Sequence, residues 1–127
     1  MKKILIVEDD GNIALSLEIR LKAAGYELRT AADALTAVKA VEAFRPDLLL
    51  VDIAIPAGGG FWVVERLQED PELSRIPFIF VTASQAPGVP EKAEALGAFA
   101  FLNKPYDFSE LLASIREALA SEQEVRS

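Results

Sequence analysis

Apolar and polar positions along this chain switch between two periods, and the switch repeats five times. Lys3–Val7, Leu48–Val51, Phe78–Thr82 and Phe99–Leu102 are short apolar runs of strand length. Glu27–Ala31 is a fifth such run, less apolar than the rest, as suits an edge strand. Leu48–Val51 is apolar at every position, the pattern of a strand covered on both faces. Between the runs, apolar residues recur every three or four positions, which predicts helices. Ile13, Leu17 and Leu21, with Ala14 and Ala24, mark a first helix over Ile13–Ala24, stopped by Gly25. Asp33 caps a second carrying Leu35, Val38 and Val41, and Pro46 ends it. Gly58-Gly59-Gly60 leads into a third with Phe61, Val64 and Leu67 on one face. Pro90 opens a short fourth helix that Gly97 ends. Asp107 and Glu110 have the spacing of a capping box for a fifth, with Phe108, Leu111, Leu112, Ile115 and Leu119 turned inward.

Strands and helices in strict alternation, joined by short connections, imply right-handed crossovers and one parallel sheet with helices on both faces. The expected class is therefore α/β. The 127 residues suffice for one domain, taken here as 1–120, followed by a polar tail over 121–127 that is expected to fray. At 51% hydrophobic, the chain can bury a real core. The units share no motif, so their period is structural and not a sequence repeat.

Composition narrows the chemistry by exclusion. There is no Cys and no His, which removes disulfides, thiolate and imidazole metal sites, and Ser-His-Asp catalysis. The net charge of −7 disfavours binding to nucleic acid, whose affinity comes from Lys and Arg neutralising phosphates. No apolar stretch reaches membrane-spanning length, and the first one is too short and too soon followed by acids for a signal peptide. A cytoplasmic location with no membrane partner is the default expectation.

The polar residues at the strand ends carry the positive signal. Glu8 and Asp9 follow the first run, Asp52 ends the third, Thr82 the fourth, and Lys104 stands just after the fifth, before Pro105. In an open α/β sheet ligands bind at the carboxyl ends of the strands. Three carboxylates, a hydroxyl and an ammonium there suit a hard divalent cation and a phosphoryl group. Each has a plainer reading. The acids of Glu8-Asp9-Asp10 could merely solvate a loop and cap a helix, and Asp10 is expected to do that. Thr82 could be an ordinary β-branched strand residue. A Lys-Pro bond can be cis and aim the Lys104 side chain, which separates it from a free surface lysine.

Taken in order, these residues make residues 2 to about 120 resemble a response-regulator receiver domain, the phosphoacceptor half of two-component signalling. The motifs are Ile-Val-Glu-Asp-Asp, Val-Asp-Ile-Ala-Ile-Pro with Pro56 and Gly60 following, Val-Thr-Ala and Asn-Lys-Pro. The resemblance implies a doubly wound, flavodoxin-like sheet of strand order 2-1-3-4-5. It makes Asp52 the phosphoacceptor, Glu8 and Asp9 Mg2+ ligands together with Asp52 and the backbone carbonyl of Ala54, and Thr82 the switch hydroxyl. It makes Lys104 the lysine that pairs with Asp52 or the phosphoryl group, and Phe101 the rotating aromatic. The implied cofactor is Mg2+. The implied partners are a sensor histidine kinase or histidine phosphotransfer protein, and a downstream target protein or output domain. The domain would be no turnover enzyme, only a site of Mg2+-dependent self-phosphorylation and slow self-dephosphorylation. Control would pass through the face formed by the fourth helix, fifth strand and fifth helix.

Other readings weigh less. A flavodoxin-type FMN site needs a first loop that cradles phosphate, and Glu-Asp-Asp would repel it. An aspartyl phosphatase places a second acid two residues after its nucleophile, where this chain has Ala54. A degenerate receiver acting only as an interaction module stays as the alternative. Gly58-Gly59-Gly60 matches no nucleotide-loop pattern and is expected to be an unusually mobile loop. Phe99, Phe101 and Tyr106 are expected to form an apolar docking face for a partner or a second copy of the chain, with Phe99 packed into the core as the competing reading. Trp62 is a separate apolar anomaly on another side.

Overall fold

The computed structural model describes residues 1–84 and 86–126, the last five of these in backbone only. Five parallel strands, β1 (Lys3–Val7), β2 (Glu27–Ala31), β3 (Leu48–Asp52), β4 (Phe78–Thr82) and β5 (Ala100–Asn103), alternate with α1 (Gly11–Ala23), α2 (Ala34–Phe44), α3 (Gly59–Leu67), α4 (Val89–Ala95) and α5 (Phe108–Arg126). The sheet order is β2-β1-β3-β4-β5. This is the predicted doubly wound fold. Chain order reverses between β1 and β3, and the crevice above that point is where such sheets bind ligands.

Alternate strand residues feed two cores, because successive side chains point to opposite faces. Leu5, Val7, Leu49, Val51, Phe78 and Phe80 pack with Ala34, Ala37, Val41 and Phe44 of α2, Val63, Val64 and Leu67 of α3, and Ala93 of α4. Ile4, Ile6, Leu48, Leu50, Ile79, Val81 and Leu102 pack with Leu17 and Leu21 of α1 and with Leu111, Ile115, Ala118 and Leu119 of α5. β3 is buried at every position, as its unbroken apolar run predicts.

Local chemistry sets the helix ends. The Asp10 carboxylate accepts from the N–H groups of Asn12 and Ile13, and Asp33 accepts from Thr36, each filling donors the first turn leaves orphaned. At the start of α5 the capping differs from expectation. The backbone carbonyl of Asp107 accepts from Glu110 and Leu111, and no side-chain capping bond from Asp107 is found among the described residues. Two helix faces also turn from their predicted orientation. Leu35 is 56% exposed and Ile13 is 36% exposed. The buried stripe of α2 is Ala34, Ala37, Val41 and Phe44, whose small members let the helix lie close to the sheet. β5 begins one residue later than expected, although the Phe99 N–H still donates to the Phe78 carbonyl. The tail over 121–127, expected to fray, is helical as far as Arg126, where α5 ends, and Ser127 lies outside the described residues.

Candidate functional site

Parallel pairing brings the ends of three strands to one level. Val7 pairs with Val51, and Asp52 with Val81. Glu8, Asp52 and Thr82 therefore arrive at the same edge, from chain positions far apart. Main-chain bonds hold the exits in place. Glu8 N–H donates to the Ala31 carbonyl at 3.0 Å, Ile53 N–H to Val81 at 3.1 Å, and Lys104 N–H to Thr82 at 2.8 Å. The Lys104–Pro105 bond is cis.

Glu8 and Asp52 are each only 6% exposed, and Thr82 is fully buried. Lys104 reaches in between the acids. Its Nζ donates to Asp52 Oδ2 at 2.7 Å and to Glu8 Oε1 at 2.9 Å. The remaining carboxylate oxygens are also engaged. Asp52 Oδ1 accepts from the Ala54 N–H at 3.0 Å and Glu8 Oε2 from the Asp10 N–H at 3.2 Å. Burial raises the pKa of Glu8, because a carboxylate loses its hydration there, and the bonds from Lys104 and Asp10 offset only part of the effect. Burial acts against the charge on Lys104 too. Its bonds to Asp52 and Glu8 outweigh this and raise its pKa. A charged ammonium between two acids is the stable arrangement.

Asp9 is exposed beside this pair, and one carboxylate oxygen each from Glu8, Asp9 and Asp52 lies within 4.8 Å of the others. Three hard oxygen donors at that spacing fit Mg2+, which takes octahedral oxygen ligands and keeps several waters. Thr82 Oγ1 accepts the Ser84 N–H at 2.9 Å. A hydroxyl has one proton to donate, and among the described residues Thr82 Oγ1 donates it to no partner.

The loop after Asp52 is tighter than three glycines suggest. A Cβ on Gly60 would stand 2.5 Å from the Asp52 carbonyl oxygen and 2.9 Å from Ile53 Cα. Gly60 N–H donates to the Ile53 carbonyl at 2.8 Å, folding α3 directly onto the strand that bears Asp52. This close approach leaves no signature in hydropathy; the fixed interval from Asp52 to Gly60 is the only sequence trace of it.

The predicted docking aromatics do not come together. Phe101 is half-buried and packs on the core that includes Phe80 and Ala93. Phe99 stays 40% exposed. Tyr106 packs on the other core and, with Asn12, Ser16, Arg20 and Phe108, lines a groove of about 400 Å³ between α1 and the β5–α5 turn. Phe99 and Phe101 share one strand parity, whereas Tyr106 lies past the turn at Pro105 and packs on the opposite face of the sheet.

Residues 4–116 match the family model described as the response regulator receiver domain. The chain is 34% identical over 121 residues to the DNA-binding dual master transcriptional regulator RpaA of Synechocystis sp., covering 94% of this chain and 49% of that one. It thus spans about half the length of that relative. Among solved structures, a CheY-like response regulator receiver domain protein from Methanospirillum hungatei superposes with a TM-score of 0.91 at 30% identity, covering 98% of both chains. The receiver domain of a sensor histidine kinase from Pseudomonas aeruginosa, with a magnesium ion coordinated in its active-site cleft, superposes with a TM-score of 0.85 at 28% identity, covering 94% of this chain and 98% of that one.

Proposed function

The chain belongs to the response regulator receiver family of two-component signalling, and from that premise we propose that Asp52 accepts a phosphoryl group from a phosphohistidine donor. The donor would be a sensor histidine kinase or a histidine phosphotransfer protein. The observation that carries this reading is the bonded set of Glu8, Lys104 and Asp52, with Asp9 beside it, at the carboxyl ends of the strands.

A carboxylate oxygen of Asp52 attacks phosphorus in line. The O–P bond forms as the P–N bond to the donor imidazole breaks, and the electron pair leaves on nitrogen. Glu8, Asp9, Asp52 and the Ala54 carbonyl would hold Mg2+, which would supply charge neutralisation on the transferring oxygens. Lys104, already placed on Asp52, passes part of its bonding to a phosphoryl oxygen. Thr82 donates its free hydroxyl proton to another. Hydrolysis is slow because Ala54 offers no carboxylate to activate water, so the domain stores a signal and does not turn over a substrate.

The output follows from the same contacts. Drawing Thr82 and Lys104 toward the phosphoryl group opens space near Phe101, whose inward turn reshapes the face of α4, β5 and α5 for a target protein, an output domain or a second copy of the chain. Phe101 has no hydroxyl, so its inward turn needs no polar group desolvated. Phe99 would contribute an exposed aromatic to that face. The charge of −7 leaves any nucleic-acid contact to other domains.

Intact-mass measurement after incubation with a small phosphodonor tests the reading. One phosphoryl group should add in the presence of Mg2+, and neither with chelator nor in Asp52→Asn. Labelling that survives in Asp52→Asn refutes the assignment. An unlabelled wild type that still binds a partner supports the interaction-only alternative.

A further inference from the structure

Three consecutive residues of the β3–α3 loop have positive φ: Ala57 at 63°, Gly58 at 131° and Gly59 at 81°. Two of them are glycines, which lose the most backbone freedom when ordered. None of the three donates a backbone N–H bond outside regular structure among the described residues. What lies on this stretch is Trp62. A Cβ at Gly58 would meet the indole at 3.0 Å from Cδ2, 3.1 Å from Cε3 and 3.2 Å from Cγ, so the ring rests on the glycine's own backbone. Trp62 is itself half-buried and packs against the core under α2 and α3. The Arg66 guanidinium lies 5.7 Å from its ring centre. The loop is anchored beside Asp52 through Ala54 N–H on Asp52 Oδ1 and Gly60 N–H on the Ile53 carbonyl, and to α2 through Ala34 N–H on the Pro56 carbonyl, which leaves Ala57–Gly59 as the stretch without such a bond among the described residues.

We infer that Trp62 is a positioning residue for the metal and phosphoryl site: its indole packs on Gly58, the middle of the three positive-φ residues, and so helps to hold the Ala54 carbonyl in place for the cation. The inference rests on the phosphoacceptor reading above and adds to it a residue that touches neither metal nor phosphate. A loop with three positive-φ residues would sample many conformations, and each order lost must be restored when a ligand binds. Packing an aromatic ring on Gly58 restores it in advance. Gly58 is favoured twice over, since φ near 131° strains any side chain and an added Cβ would crowd the indole at 3.0 Å.

The test compares wild type, Trp62→Phe and Trp62→Ala by calorimetric Mg2+ titration and by amide hydrogen exchange over residues 54–60. Trp62→Ala should bind Mg2+ roughly fivefold more weakly, the factor expected if about one residue of loop backbone regains its freedom. Its loop amides should exchange faster while those of the buried β1 and β3 do not. Trp62→Phe, which can still cover Gly58, should stay within about twofold of wild type. As the only Trp in the chain, Trp62 should also change its emission when wild type binds Mg2+. Unchanged Mg2+ affinity and unchanged loop exchange in Trp62→Ala would overturn the inference and leave the phosphoacceptor reading intact. A wild type that binds no Mg2+ overturns that reading, and with it the role assigned to Trp62. A variant that only melts earlier, with wild-type affinity once folded, shows Trp62 to be surface packing and nothing more.

Discussion

Lys104 Nζ lies 2.7 Å from Asp52 Oδ2, a bond between residues 52 positions apart that closes the site at the sheet edge. The same ammonium serves Glu8, so two nearly buried carboxylates depend on one cation. Replacing Lys104 with Met should destabilise the protein by about 1–3 kcal/mol at pH 7, below the full cost of breaking a buried pair because Lys104 is 22% exposed. Mg2+ at millimolar levels should recover part of that loss, and more than it adds to wild type. Urea denaturation with and without Mg2+ measures both. A loss that Mg2+ does not touch would argue against a cation sharing these carboxylates.

Gly60→Ala should cost about 1–3 kcal/mol, the range for forcing atoms into a packed site. The added carbon meets main chain, at 2.5 Å from the Asp52 carbonyl oxygen, and main chain cannot swing aside. Gly11→Ala is the control, since nothing lies within 4 Å of its added carbon. Chemical denaturation of the two variants should separate them clearly.

Burial raises the pKa of Tyr106 above its ordinary 10.0. The folded state thus holds the phenol proton more tightly than the unfolded chain does. Its contribution is fully present below pH 10 and is lost as pH rises through the higher folded value. Tyr106→Phe should match wild type in its pH dependence near neutrality and lose less stability above pH 10. Denaturation midpoints from pH 8 to 11 test this, and parallel decline in both proteins would contradict it.

A beryllofluoride titration should shift amide signals across α4, β5 and α5 as well as at the site. Thr82→Ala should shrink the distant shifts while leaving those near Glu8 and Asp9, because the hydroxyl is the proposed link between phosphoryl group and Phe101. Phe99→Asp should weaken partner binding or self-association without preventing phosphoryl uptake at Asp52. Shifts confined to the metal site in the parent protein would refute the coupling.

Five strands, five helices, their order along the chain and the burial of β3 were all legible in the periodicity of the sequence. The acids, Thr82 and Lys104 were legible as chemistry at strand ends. Exposure of Leu35 and Ile13 was not, because helical spacing marks a stripe without saying which edge of it meets the sheet. Separation of Tyr106 from Phe101 was not, because neighbours in sequence can serve opposite faces once a strand alternates and the chain turns.

Sequence alone determined the alphabet of the site and the elements that carry it, since hydrophobic period and residue chemistry are local properties. Only the tertiary structure decided that Lys104, expected to pair with Asp52, also bonds Glu8, that Gly60 must lack a side chain against the Asp52 carbonyl, and that Trp62 rests on Gly58. The Lys104 contacts join residues whose positions are set by strand pairing and crossover packing, while the Trp62 contact depends on the backbone turn that starts α3. Distances of a few ångströms between separate elements arise from the closure of the whole sheet, and no local pattern encodes them.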